Sequence, residues 1–128
     1  MILDASAILA ILFREDGATD LLERLWRASP RAVGAPTLAE AGIVLAARAG
    51  EASIPLLYHF LDAFGIVTIP FDGLHGREAV AIYDAYGKGR HPAGLNFGDC
   101  LCLATARLAG LPLLCVGDDF PQTDAVLA

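Results

Sequence analysis

The chain has 128 residues, 55% of them hydrophobic, and a formal net charge of −6. This length corresponds to one domain, residues 1–128, that can bury a single core. The excess of 15 acidic over 9 basic side chains argues against nucleic-acid binding through a broad basic surface. It is compatible with a site that binds cations through carboxylates. No apolar run approaches the roughly 20 residues of a membrane-spanning helix.

The amino terminus and the cysteines indicate the same compartment. Met1 leads into apolar residues without the basic segment of a secretory signal. Cys100, Cys102 and Cys115 are odd in number, lie among apolar neighbours and lack the C-x-x-C spacing of a zinc or redox site. We therefore expect a cytoplasmic protein with free core thiols and no membrane association.

Apolar periodicity predicts strands that alternate with helices along the chain. Strands are predicted near residues 2–5, 32–35, 66–70 and 112–116. Helices are predicted over residues 7–13, 18–28, 38–49, 53–64, 74–86 and 99–109. This alternation predicts an α/β fold, an α/β/α sandwich with a central parallel sheet of four to five strands.

Acidic residues lie at strand ends and in the first turns of predicted helices. Asp4 follows the first strand, Glu40 and Asp99 lie in first turns, and Asp118 and Asp119 follow the last strand. Because ligands of such folds gather at the carboxyl ends of the strands, we expect these acids to meet there. Two or three carboxylates around Mg²⁺ can activate a water molecule against a phosphodiester.

Each acid also has a structural alternative. Residues 37–40 and 96–99 both have the spacing of a capping box, in which a helix first turn bonds to itself. Asp4 could cap the helix that follows it, although Ser6 is also a predicted N-cap. The pair Asp118 and Asp119 could form a solvated turn. These alternatives stay open for each acid taken alone.

Four segments, in order, cover almost the whole chain and carry a family resemblance. They read I-L-D-A-S-A-I-L-A, T-L-A-E, Y-G-K-G-R-H-P-A-G-L-N-F-G-D-C and P-L-L-C-V-G-D-D-F-P-Q-T-D. Together they resemble the PIN-domain ribonuclease toxins of the VapC type, from type II toxin–antitoxin systems. The resemblance implies an α/β/α sandwich and an endoribonuclease that depends on Mg²⁺ or Mn²⁺ and cuts tRNA or rRNA. It also implies a VapB-type antitoxin as partner, and we expect a homodimer.

The resemblance assigns catalytic roles by position. The residues concerned are Asp4, Ser6, Glu40, Asp99, Asp118 and Asp119. It implies that Asp4 and Asp99 bind the metal and that Ser6 orients Asp4 or a metal-bound water. Asp119 matches the acid before the phenylalanine, but the sequence leaves open whether Asp119 or Asp118 serves the site.

A basic, glycine-rich loop precedes Asp99. The candidate substrate contacts are Arg14, Lys88, Arg90, His91 and Asn96. Gly87 and Gly89 would let the backbone come close to phosphate. A solvated loop is the alternative interpretation, and Asn96 is also predicted to cap the last helix. RNA recognition through shape and exposed single-stranded loops would suit an acidic protein.

Two other function classes compete. A phosphoryl-transfer domain, phosphatase or receiver-like, has a similar α/β scaffold, but a phosphatase would have D-x-D where this chain has Asp4-Ala5-Ser6. A receiver would have a lysine after its fifth strand, and the only lysine is Lys88. A non-catalytic binding module would use the apolar helix stripes, of which Trp26 and Leu56 are members.

Overall fold

The four strands of the computed structural model, which describes residues Met1–Ala128, form one parallel sheet. The strands are β1 (Ile2–Leu3), β2 (Ala32–Gly34), β3 (Val67–Ile69) and β4 (Leu113–Leu114), in the order β3-β2-β1-β4. In the register of the central strand, Ile2 pairs with both Ala32 and Leu113. The parallel sheet is therefore confirmed, with four strands that are each shorter than predicted.

Six α-helices cover the two faces of this sheet. They are α1 (Ala5–Leu12), α2 (Ala18–Arg27), α3 (Ala35–Ala49), α4 (Ile54–Phe64), α5 (Gly73–Tyr86) and α6 (Phe97–Ala109). Because successive strand residues point to opposite faces, Leu3 enters a buried cluster with α1 to α4 while Ile2 enters a second cluster with α5 and α6. The predicted α/β/α sandwich is confirmed. No helix has the length and apolar composition needed to cross a bilayer.

Helices α1 and α3 begin earlier than the sequence predicts, and each start has a local cause. The first starts at Ala5 because Asp4, rather than Ser6, is its N-cap and accepts a hydrogen bond from the Ser6 N–H. The third starts at Ala35 with Gly34 as N-cap and a proline in its first turn, a position where proline is favoured. Thr37 therefore lies inside the helix, and the capping box predicted for residues 37–40 is wrong.

The capping box predicted for residues 96–99 is confirmed. Asn96 Oδ1 accepts a hydrogen bond from the Asp99 N–H at 2.9 Å, and Asp99 Oδ2 accepts one from the Asn96 N–H at 2.9 Å. The same helix ends at Gly110, whose φ of 63° is the left-handed conformation that glycine adopts most easily. The two ends of α6 are thus defined locally, and its first turn holds Asp99 in one orientation.

Arg107 connects α5, α6 and the C-terminal segment away from the acids. It binds Glu78 at 2.7 Å and also pairs with Asp124. Its guanidinium lies 6.0 Å from the ring centroid of Tyr86. In this region, acidic side chains are neutralised within the fold.

Candidate active site

Asp4 is fixed at the junction of three elements. Its Oδ2 accepts hydrogen bonds from the Ser6 N–H at 2.9 Å and from the Ser6 hydroxyl at 2.5 Å. The Ser6 hydroxyl in turn accepts from the Val116 N–H at 3.0 Å. Ser6 therefore connects Asp4, at the end of β1, with the segment that follows β4. Asp4 is 6% exposed, and its Oδ1 receives no hydrogen bond, so one oxygen is free to bind a ligand.

Glu40 extends from α3 over the first turn of α6. A Cβ atom placed on Gly98 would lie 2.7 Å from Glu40 Oε2, so the carboxylate rests directly against the Gly98 backbone. Glu40 itself makes no hydrogen bond. Sequence reasoning missed the role of Gly98, although a glycine inside a helix, where its propensity is low, is a signal of close packing.

The acids interact electrostatically. Burial raises the pKa of Glu40, and the charges on Asp4 and Asp99 raise it further. Burial also raises the pKa of Asp99; the hydrogen bond from Asn96 opposes that shift, while the charges on Asp4 and Asp119 add to it. We call Asp4, Glu40, Asp99 and Asp119 the acidic cluster. Four of the five acids predicted to meet at the carboxyl edge of the sheet are thus close enough to interact.

Asp118 and Asp119 differ in their electrostatic influence on Asp99. Both are exposed, but Asp119 is close enough to Asp99 to influence its pKa. Asp118 exerts no comparable effect, and its backbone carbonyl accepts a hydrogen bond from the Gln122 side chain at 2.8 Å. Asp119, rather than Asp118, therefore interacts electrostatically with the other acids.

No basic side chain neutralises the acidic cluster. The structure contains seven ion pairs, and none of them includes a member of the cluster. A cation would relieve the repulsion among these carboxylates, because uncompensated charge is costly to desolvate. Hard oxygen donors of this kind suit Mg²⁺ or Mn²⁺.

The donor set also limits how a metal would be held. No three His, Cys, Asp or Glu side chains are arranged as a ready metal site. Mg²⁺ commonly binds through one or two carboxylates and keeps several waters. The free oxygens of Asp4 and Asp99 fit that mode, with Glu40 and Asp119 close by.

The three cysteines are free, as predicted. Burial, with the charges of Asp4 and Asp99, raises the pKa of Cys115 to about 11. Its thiol therefore stays protonated at neutral pH and is a poor nucleophile. Cys102, which is fully buried, lies beside Asp4, a proximity that the sequence did not predict.

Some of the side chains predicted to contact the substrate are free, and others already have a partner within the protein. Lys88 and Arg14 are exposed and form no ion pair, and Lys88 lines a cavity of about 710 Å³ with Asn96. Arg90 instead binds Asp84 at 2.7 Å. His91 accepts a hydrogen bond from the backbone two residues later, at 3.0 Å.

Gly87 has a different role from the predicted one. A Cβ atom at this position would collide with the backbone carbonyl and ring of Tyr83. Gly87 is therefore required for packing of the loop against α5. Gly89, by contrast, has a φ of 82° and open space around it, so it still permits the close backbone approach that the sequence predicts.

The protein is thus an α/β/α sandwich with an unpaired carboxylate cluster at the carboxyl edge of its parallel sheet. The family model of the PIN domain matches residues 1–126. The ribonuclease VapC36 of Mycobacterium tuberculosis is 42% identical over 125 residues, 97% of this chain and 90% of that protein. The chain belongs to the PIN-domain family, in its VapC branch, and so lies outside the phosphatase and receiver classes.

Solved structures show the same fold. VapC20 of M. tuberculosis, described as a sarcin-ricin loop cleaving toxin, superposes with a TM-score of 0.77 at 16% identity, over 99% of this chain and 97% of that one. A chain of a toxin–antitoxin complex from Klebsiella pneumoniae gives a TM-score of 0.72 at 19% identity, over 99% of this chain and 95% of that one. At these identities the comparisons confirm the fold alone.

Proposed function

We propose that this protein is a metal-dependent endoribonuclease and the toxin of a toxin–antitoxin pair. The observation that carries the proposal is the acidic cluster, whose four carboxylates lie together without a basic partner. Membership of the VapC branch supports it, because the related protein named above is a ribonuclease.

In this mechanism Asp4 and Asp99 would hold Mg²⁺ or Mn²⁺. A bound cation would lower the pKa of a coordinated water and would stabilise charge on the phosphodiester oxygens. Ser6 keeps Asp4 in its orientation. Glu40, whose carboxylate has no hydrogen bond and a raised pKa, is the group best able to accept the proton of the attacking water. Asp119 adds negative charge at the exposed rim.

RNA must approach an acidic site on an acidic protein. Lys88 and Arg14 are the free cations that can contact phosphates, whereas Arg90 would first have to leave Asp84. With few such contacts, intrinsic affinity is expected to be weak. We propose exposed single-stranded loops of tRNA or rRNA as substrates, because shape and unstacked bases then supply specificity.

The partners we propose are a VapB-type antitoxin and a second copy of the chain. Of the predicted apolar stripes, Leu25 and Phe60 are in the core, but Trp26 is 70% exposed and Leu56 is 49% exposed. Such exposed apolar side chains are candidates for coverage by a partner. A basic antitoxin side chain would provide the cation that the acidic cluster lacks. We place the protein in the cytoplasm, where its three free thiols are stable.

Substitution of the metal ligands tests the enzymatic proposal. Asp4→Asn and Asp99→Asn should abolish Mg²⁺-dependent cleavage of RNA while the protein stays folded, as judged by circular dichroism. Asp62→Asn, at an exposed acid on α4 without an ion pair, is the matched control and should cleave normally. Normal cleavage by the Asp99→Asn variant would refute the mechanism.

The dimer has a separate test. Sedimentation of the purified protein at micromolar concentration should give the mass of two chains. A monomer under these conditions would contradict this part of the proposal without affecting the enzymatic part.

A further inference from the structure

Thr37 has the one buried side-chain polar atom in the structure without a hydrogen-bond partner. The residue is 1% exposed, and its Oγ1 makes no hydrogen bond of normal geometry. A buried hydroxyl without a partner destabilises the folded state. An unpaired group of this kind in a native structure therefore needs a reason other than stability.

Thr37 lies behind the acidic cluster. It is one helical turn before Glu40 on α3, and its side chain and the carboxylate of Asp4 both lie near the thiol of Cys102. Cys102 Sγ is 3.9 Å from the carbonyl oxygen of Leu3, the residue before Asp4. Cys102 itself is one turn after Asp99 on α6. Two buried polar side chains thus form a layer beneath Asp4.

We propose that Thr37 is a positioning residue for Asp4, acting through the Cys102 thiol when the cluster binds a divalent cation. A small rotation of the Thr37 hydroxyl would let it donate to Cys102 Sγ, which would direct the thiol proton toward Asp4. This inference rests on the proposed metal-dependent function. Its distinctive consequence is that the hydroxyl costs stability in the metal-free protein and contributes only to the cation-bound state.

Thr105 provides a matched control. It is also 1% exposed, but its hydroxyl donates to the Leu101 carbonyl oxygen at 3.0 Å. Thr37→Val and Thr105→Val therefore remove the same hydroxyl from equally buried positions. One hydroxyl is unpaired and the other is satisfied.

The experiment combines urea unfolding in EDTA with calorimetric titration of Mn²⁺. Thr37→Val should be at least as stable as the wild type without metal, yet should bind Mn²⁺ about tenfold more weakly, the lower end for residues behind a metal ligand. Thr37→Ser should restore binding to within about twofold of the wild type. Thr105→Val should lose stability and bind Mn²⁺ normally.

Two results would overturn the proposal. A loss of metal-free stability in Thr37→Val would show that the hydroxyl is structural, and unchanged Mn²⁺ binding would show that it has no role at the site. The route through Cys102 is tested by Cys102→Ala: its effect on Mn²⁺ binding should not add to that of Thr37→Val, and additive effects would refute the route. Absence of Mn²⁺ binding by the wild type would instead contradict the proposed function itself.

Discussion

The carboxylates of the acidic cluster have no basic partner, whereas those around Arg107 form ion pairs with it. Glu78 binds Arg107 at 2.7 Å, so its charge is neutralised between α5 and α6. Glu40 is also half-buried, but it makes no ion pair, and its neighbours Asp4 and Asp99 raise its pKa. The comparison indicates that the fold does not use the negative charge of Glu40 in an ion pair. A carboxylate retained without a partner is available for a ligand.

The largest expected effect comes from Glu40→Gln, which keeps the shape of the side chain and removes its charge. Loss of the proton acceptor should lower the RNA cleavage rate by about 100-fold or more. Metal-free stability at neutral pH should be unchanged or higher, because repulsion within the cluster falls. Cleavage assays and urea unfolding of the same preparation check both parts. Full activity, or a clear loss of stability, would remove the distinction between Glu40 and Glu78.

Arg107→Met should have the reverse effect. The variant keeps much of the apolar side chain but leaves Glu78 and Asp124 without their partner, and we expect a loss of about 1–2 kcal/mol for this partly exposed pair of contacts. Thermal or urea unfolding measures the loss. Cleavage per folded molecule should be unchanged, and a large fall in the specific activity would contradict the structural assignment of this region.

A smaller effect is expected on how the stability of the folded state depends on pH. The raised pKa values of Glu40 and Asp99 mean that the folded state binds protons more tightly than the unfolded state at these groups. Their contribution to stability is fully present below the ordinary carboxyl pKa, near about 4, and is lost as the pH rises through the raised values. Glu40→Gln should therefore match the metal-free wild type at low pH and become relatively more stable toward neutral pH.

Unfolding curves of both proteins in EDTA across this range check the sign. A difference that does not vary with pH, or that grows toward low pH, would contradict the assigned shifts.

The smallest effects are expected at the loop before Asp99. Lys88→Ala should weaken RNA binding a few-fold and reduce the salt dependence by about one phosphate contact. Arg90→Ala should weaken RNA binding less than Lys88→Ala does, because Asp84 already binds Arg90 at 2.7 Å. Binding of a short RNA at several salt concentrations compares the two. An equal or larger effect of Arg90→Ala would mean that its ion pair opens on binding.

Much of the fold could be predicted because its signals are local and repeated. Apolar periodicity locates the helices, and the alternation of elements gives a parallel sheet whose strand ends share one edge. That edge brings together Asp4, Asp99 and Asp119, which are far apart in the chain. The contact between Glu40 and Gly98 could not be predicted, because it depends on how closely α3 packs against α6.

Thr37 shows why local motifs are insufficient. Its spacing to Glu40 is that of a capping box, but Gly34 and Pro36 provide a competing helix start three residues earlier than the predicted one. In that helix Thr37 is 1% exposed, so its side chain is buried and does not cap the first turn. Similarly, the charge of Arg90 gives no indication that Asp84, on the preceding helix, already neutralises it.

Calorimetric titration of Mn²⁺ into the metal-free protein tests the central claim most directly. The unpaired acids are predicted to bind the cation in the wild type, and Asp4→Asn and Asp99→Asn should each lose that binding. Glu78→Gln, which alters an acid already paired with Arg107, should keep it. Wild-type binding that survives both Asp4→Asn and Asp99→Asn would contradict the claim that the acidic cluster is the metal site.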